Sequence, residues 1–290
     1  MRMRRRAPKV SFVLAAALSA SLAAVVAAVQ APGPPALDCA AMEKFLKTAR
    51  AGRQRELPVG VTAPSRATFD DGTRQHDASI QTVDIRAPTY QTSRGTELNF
   101  RDTWKFNVAG YELAKLLELN MVPPYVERKI VGAPASVSWW VNDAMMERDR
   151  VRKNLTPPDI ARWNDEMHAA RLFHELIGDS DFNMTNTLIA PDWRVWMIDF
   201  SRAFRLGRAL QYAKEVTRID RKLLTNLRGL TPALLQQRLG SWLTRPEIEA
   251  VLARRDLLVR ALDEQIATKG EAAVLYDLPR VAERCGTGLE

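Results

Sequence analysis

The chain has 290 residues, 46% of them hydrophobic and 26% charged, which is apolar material enough for one large domain or two lobes and excludes an intrinsically disordered segment. Its formal charge of +8 has the sign of a nucleic-acid binder, but Arg2, Arg4, Arg5, Arg6 and Lys9 crowd the first nine positions, and the other 37 of the 42 basic residues face 34 acidic ones. The remaining charges are interspersed along the chain, so a solvated surface of mixed sign follows and nucleic acid is not an expected partner.

The first segment reads as a basic start, an uncharged run over residues 10–29 and a Pro/Gly-rich break, "APGPP". Residues 1–30 are therefore expected to be an export signal, with cleavage after Ala28, or an N-terminal membrane anchor. In either case the positive-inside rule places the rest of the chain outside: periplasmic or otherwise extracytoplasmic, with membrane association through residues 10–29 if the run is retained. The chain has two cysteines, Cys39 and Cys285. In an exported protein an even count invites a disulfide, and two unpaired structural cysteines are the alternative.

Residues 40–50 have the spacing of a short amphipathic helix. Over residues 56–85 β-branched residues alternate with polar ones around Gly60 and the turn "DDG", the pattern of an antiparallel meander. Residues 86–103 are polar and read as loop. "WKFNVAGYELAKLLELN", residues 104–120, is a helix with Val108, Ala109, Leu116 and Leu119 on one face. Glu112 falls on that apolar face, where a buried carboxylate needs a cation or several donors. "VPPYVERKIVGAPASVSWWV" follows as two strands around a Gly/Pro turn. Residues 57–141 thus form a small sheet with one helix, within an N-lobe of residues 31–141, and residues 142–290 are mainly helical. Residues 159–177 carry an apolar helical stripe, and a later helix has Thr244 and Glu247 as a capping box and stops at Gly270.

Between these helices lies "GDSDFNMTNTLIAPDWRVWMIDFSRAF". The runs "TLIA" and "RVWMI" flank "PDW", a turn signal, so they pair as a hairpin. Pairing outward from the turn sets Asn186 beside Asp199, and Asp181 stands five residues before Asn186 in a short loop with Asp179 and Asn183. An amide oxygen and carboxylates converging on one point suit a hard cation such as Mg²⁺. Turn chemistry is an equal reading of these residues, since Asp and Asn cap their own backbone. A calcium loop is not, because Met184 stands where that motif needs glycine and Ala190 where it needs a bidentate acid.

An Asp, an Asn five residues on, a hairpin, and an Asp followed by Phe resemble the catalytic loop and metal-binding segment of the protein-kinase-like fold. The wording is similar to its atypical branches: HipA-type kinases, phosphatidylinositol kinases, secretory-pathway kinases and, more closely, a group of bacterial proteins with this fold. The resemblance covers residues 57–205. It implies an α+β, two-lobed fold with a β-rich N-lobe and a helical C-lobe, and an ATP-dependent phosphotransferase using Mg²⁺ or Mn²⁺ on an unknown hydroxyl acceptor. It implies Asp181 as the catalytic aspartate, Asn186 and Asp199 as metal ligands, Glu112 as the N-lobe helix glutamate, and Val141 as the hinge position that meets an adenine. Gln81 stands where the family has the lysine that contacts phosphates and pairs with that glutamate. The alternative implied is therefore a catalytically inactive pseudokinase, an exported binding or scaffolding module with a protein partner.

Overall fold

The computed structural model describes residues 37–57, 64–92 and 95–278. The expected signal or anchor over residues 1–30, the turn at Gly60 and Cys285 lie outside the described residues; Cys39 is disulfide-bonded. Among the described residues no helix is long and apolar enough to cross a membrane.

Asp38 starts the first helix, α1 (Cys39–Thr48), by accepting the Ala41 N–H at 2.7 Å. Two short strands, β1 (Arg50–Ala51) and β2 (Arg55–Glu56), lead into β3 (Ser65–Asp70) and β4 (Gln75–Gln81). The turn joining β3 to β4 follows from "DDG". Gly72 takes φ +88°, and Asp70 and Asp71 accept the N–H groups of Gly72, Thr73 and Arg74. The chain continues through β5 (Asp84–Thr92), β6 (Gly95–Thr103), α2 (Trp104–Leu116), β7 (Tyr125–Ile130) and β8 (Ala133–Trp139). The main sheet is antiparallel in the order β1-β3-β4-β8-β7, with β2 beside β3. Alternate residues of its strands, among them Phe69, Ile80 and Val137, bury against Met42, Phe45 and Leu46 of α1.

Residues 86–103, expected as loop, are instead most of the β5–β6 hairpin, a two-stranded sheet of its own. Its polar, largely exposed strands lack the apolar alternation that marks a half-buried strand, and Tyr90 stacked on Phe100 at 4.0 Å joins the two strands.

The C-lobe begins with β9 (Met145–Met146), α3 (Glu147–Arg152) and α4 (Ile160–Ile177), followed by the hairpin β10 (Thr187–Ile189) and β11 (Val195–Met197). The chain closes with β12 (Ile219–Asp220), α5 (Arg221–Arg228), α6 (Pro232–Leu239), α7 (Arg245–Lys269), α8 (Glu271–Val274) and β13 (Leu275–Tyr276). The capping box of Thr244 and Glu247 opens α7, and Gly270 ends it. The architecture is the expected one: a sheet-rich N-lobe and a helical C-lobe.

Helix α2 belongs to both lobes. It follows the β5–β6 hairpin, yet Phe106, Ala109, Tyr111 and Leu113 share one core with Leu172, Phe173 and Phe200 of the C-lobe. Gly110 permits this approach, because a Cβ there would lie 2.7 Å from the Phe200 ring. A second close approach is at Gly178, the left-handed cap of α4 at φ +59°, where a Cβ would lie 2.7 Å from the Arg254 guanidinium carbon. Arg254, 1% exposed on α7, donates to the carbonyls of Leu176 (2.9 Å), Arg205 (2.8 Å) and Gly207. Burial pulls its pKa down to about 10. One side chain thus joins the end of α4 to the segment that follows Asp199.

Candidate functional site

The β10–β11 ladder pairs Thr187 with Met197, and one step further out Ile198 N–H donates to the Asn186 carbonyl at 3.0 Å. Asn186 and the residue after Ile198, Asp199, are therefore neighbours, as the hairpin pattern requires. The loop before β10 is held from inside. Asp179, 5% exposed, accepts the Asp181 N–H at 2.9 Å, and its other oxygen lies 2.8 Å from His174 Nδ1. His174 in turn stacks on Phe182 at 3.8 Å. The Asp181 carbonyl accepts from the side-chain amides of Asn183 (2.8 Å) and Asn186 (3.2 Å). With its nitrogen so engaged, the Asn186 amide has its oxygen on the opposite side, where it accepts a long bond from Thr185 Oγ at 3.4 Å.

Asp199 takes φ +58°, a left-handed conformation that Asp tolerates better than most residues. Tyr125 O–H lies 3.3 Å from its N–H and accepts from it, and the next residue, Phe200, donates its N–H to Asn107 Oδ1 at 2.6 Å. Asp199 Oδ1 accepts from Gln81 Nε2 at 3.1 Å and, at 3.5 Å, from Ser201 N–H. Burial raises its pKa, with the bonds from Gln81 and Ser201 acting against that rise. Among the described residues no Lys, Arg or His forms an ion pair with it. Burial likewise raises the pKa of Asp181, and Arg202 opposes the shift, its Nη1 standing 3.9 Å from Asp181 Oδ2.

The N-lobe wall is built by strand register. β4 pairs with β8 so that Gln81 faces Ser136. Asn107, on the first turn of α2, donates through Nδ2 to both Gln81 Oε1 and Ser136 Oγ, the latter at 3.3 Å. Asn107, Gln81 and Asp199 form a continuous chain of hydrogen bonds. The partner expected for Gln81 was Glu112, and the structure places Glu112 elsewhere. It binds Lys115 at 2.8 Å and Arg238 of α6 at 2.8 Å, which supplies the cations that its partial burial demands. Residues 107 and 112 are five apart, about 140° around a helix, so only one can face β4. Asn107 has no signature in the sequence, because the helix residue expected to face β4 is a charged one and Asn107 is neutral.

Val141 follows β8 where the N-lobe core meets Leu188 of β10. Its side chain is buried, and among the described residues no backbone–backbone hydrogen bond engages its N–H or C=O. Trp139 is core, stacked on His76 at 3.8 Å, while Trp140 carries the Arg66 guanidinium at 4.1 Å. Arg101 is paired with Glu247 and supplies no cation in place of the lysine that Gln81 replaces. A cavity of about 670 Å³ opens beside the β5–β6 hairpin, lined by Arg86, Phe106, Phe204, Arg205 and Glu247 among others. None of the six expected site residues lines it.

The donor set suits a divalent cation. One amide oxygen and one carboxylate with no ion-pair partner are hard ligands of the kind that hold Mg²⁺ together with phosphate oxygens, rather than an all-protein cage. No cluster of three or more His, Cys, Asp or Glu able to hold a metal occurs among the described residues.

No protein-family model and no curated protein sequence matches the chain. Solved structures do match. The structure of a hydra Fam20 protein with sugar is similar to it over 81% of this chain and 90% of the other, with a TM-score of 0.59 and 12% identity. The Golgi casein kinase with Mn and ADP bound is similar over 84% of this chain and 80% of its own, with a TM-score of 0.58 and 15% identity. A second structure of the Golgi casein kinase gives a TM-score of 0.56 at 14% identity over the same shares. The chain has the protein-kinase-like fold of these atypical members.

Proposed function

We propose that the protein is an atypical phosphotransferase that moves the γ-phosphoryl group of ATP, with Mg²⁺ or Mn²⁺, to a hydroxyl acceptor on the outer side of the membrane. The observation that carries this is Asp199: a half-buried carboxylate with no ion-pair partner among the described residues, set beside Asn186, with the partly exposed Asp181 five residues before Asn186. A carboxylate withdrawn from water without a cation is costly, and a metal–nucleotide complex removes that cost. The Golgi casein kinase, a structure of this fold, was solved with Mn and ADP, and that supports the same ligand class here.

Asn186 Oδ1 and Asp199 would hold the metal, Gln81 would steady Asp199 from the N-lobe side, and the free backbone groups at Val141 would receive the adenine. When bound, the metal neutralises phosphate charge. Asp181 orients the acceptor hydroxyl and takes its proton as the acceptor oxygen bonds to phosphorus and the bond from phosphorus to the ADP oxygen breaks. Fold likeness alone does not establish an activity, so the test is chemical. Phosphoryl transfer from ATP should fall at least about 100-fold in Asp181→Ala and in Asp199→Ala, with the folded state retained; transfer at the normal rate in both would sink the assignment.

A second reading is favoured by Gln81. An amide there donates a hydrogen bond but cannot neutralise a phosphate, and its helix partner Asn107 is also neutral. On this reading the protein is a pseudokinase, an exported binding or scaffolding module. It predicts nucleotide binding without turnover, or no binding at all.

A further inference from the structure

We infer that Arg202 is a positioning residue for Asp181, held in place by the β5–β6 hairpin through Asp102. The inference rests on the phosphotransferase reading. Its geometry begins in the main chain. Thr103, the last residue of β6, donates its N–H to the Ser201 carbonyl at 2.9 Å, so the end of the hairpin is stitched to the segment two residues beyond Asp199. That register sets Asp102 opposite Arg202, whose Nε donates to Asp102 Oδ2 at 2.8 Å. Asp102 is 1% exposed, and its other oxygen has no hydrogen-bond partner among the described residues. A buried carboxylate satisfied on one side only depends heavily on its single cation, and this fixes the guanidinium.

The aromatic pair of the hairpin confines the same group. The Arg202 guanidinium lies 5.5 Å from the Phe100 ring centroid and 5.9 Å from that of Tyr90. The Arg202 carbonyl accepts from Ser180 Oγ at 3.2 Å, which ties it to the loop that carries Asp181. Nη1 of the same planar fork faces Asp181 Oδ2 at 3.9 Å. Arg202 is thus shared between a buried anchoring carboxylate and a half-exposed working one. With Oδ2 turned to the arginine, Oδ1 is the oxygen left for an acceptor hydroxyl; the Asn183 amide stands 3.5 Å from it, too long for a strong bond. A lysine could not serve both carboxylates, since it presents a point charge rather than a fork.

The experiment uses water as the acceptor, so that no substrate need be known: ADP release from ATP with Mn²⁺ by the full chain in detergent, alongside thermal melting with the same ligands. Arg202→Met should lower kcat about 10- to 100-fold, leave KM for ATP within about twofold, and keep the metal-dependent nucleotide shift. Arg202→Lys should recover part of kcat, and Asp102→Asn, which keeps shape and loses charge, should lower kcat in the same direction by a smaller factor. The inference is overturned if Arg202→Met turns over at the normal kcat, or if only KM rises, which would make Arg202 a nucleotide ligand. Should Arg202→Met not fold, Asp102→Asn decides alone, and a normal kcat there overturns the inference. A wild-type chain with neither shift nor hydrolysis removes the phosphotransferase reading and this inference together, whereas an active wild type with unaffected variants removes the inference alone.

Discussion

The two walls of the groove around Asp199 are built from opposite materials. On the C-lobe side, charged groups fix the backbone: Arg254 grips the carbonyls of Leu176, Arg205 and Gly207, Glu175 accepts the N–H groups of Gln211 (2.8 Å) and Tyr212 (3.0 Å), and Arg202 joins Asp102 to Asp181. On the N-lobe side, the corresponding contacts are neutral amides, Asn107 to Gln81 and Gln81 to Asp199. The difference separates two tasks. Charge-assisted bonds are strong enough to hold a loop in one conformation, so the segment after Asp199 is held by Arg254, Arg202 and Glu175. Amides steer Asp199 while leaving its charge uncompensated, the state in which the proposed metal–nucleotide complex would find it.

The largest effect on stability is expected where the charged wall is broken. Arg254→Met removes at least two charge-assisted bonds to buried carbonyls, and urea unfolding should show a loss of about 3 kcal/mol at roughly 1.5 kcal/mol per bond. The segment after Asp199 should loosen with it, because the same residue holds the carbonyls of Arg205 and Gly207.

The neutral wall can be sharpened by giving it charge. In Gln81→Lys the ammonium would meet Asp199 with only an amide behind it, whereas the pair Gln81→Lys with Asn107→Glu provides a carboxylate to share it. Nucleotide affinity, measured by titration with Mg²⁺, should rise about tenfold from the single to the double variant, a difference of about 1.4 kcal/mol. Equal affinities would show that the two positions do not act together.

The smallest effect belongs to Glu112, the strut between α2 and α6. Burial works to raise its pKa, but hydrogen bonds and charge from Lys115 and Arg238 outweigh that and hold it below the usual glutamate value. A depressed folded-state pKa contributes stability that is present above the unfolded value of about 4.3 and is lost as pH falls through the folded one. Glu112→Gln should therefore cost about 1 kcal/mol or less near neutral pH, given that Arg238 is 40% exposed, and the difference from wild type should vanish at strongly acid pH. A difference that grew as pH fell would reverse the sign assigned here.

What could be read from the sequence, and what could not, divides along the same line. The β3–β4 turn, the α7 caps and the β10–β11 hairpin depend on residues within a few positions of one another, and all three stand as the local pattern requires. The hairpin was enough to set Asn186 beside Asp199. The β5–β6 hairpin was hidden because "APTYQTSRGTELNF" has no apolar alternation, its stability resting on a stacked aromatic pair and on contacts with the C-lobe. Glu112 drew attention because it carries charge on an apolar face. Asn107, one and a half turns earlier, makes the contact because the β4–β8 register puts Gln81 and Ser136 beneath it. Asp102 and Arg202 are a hundred residues apart, and no local rule relates them.

The proposed dependence of Asp199 on a cation that arrives with a nucleotide is tested most directly by thermal melting of the full chain. ATP and Mg²⁺ or Mn²⁺ together, at one hundred times the dissociation constant, should stabilise the wild type by about 2.7 kcal/mol, with little from ATP or metal alone and none of the combined shift in Asp199→Ala. An equal shift in Asp199→Ala, or no shift with any combination, would contradict it.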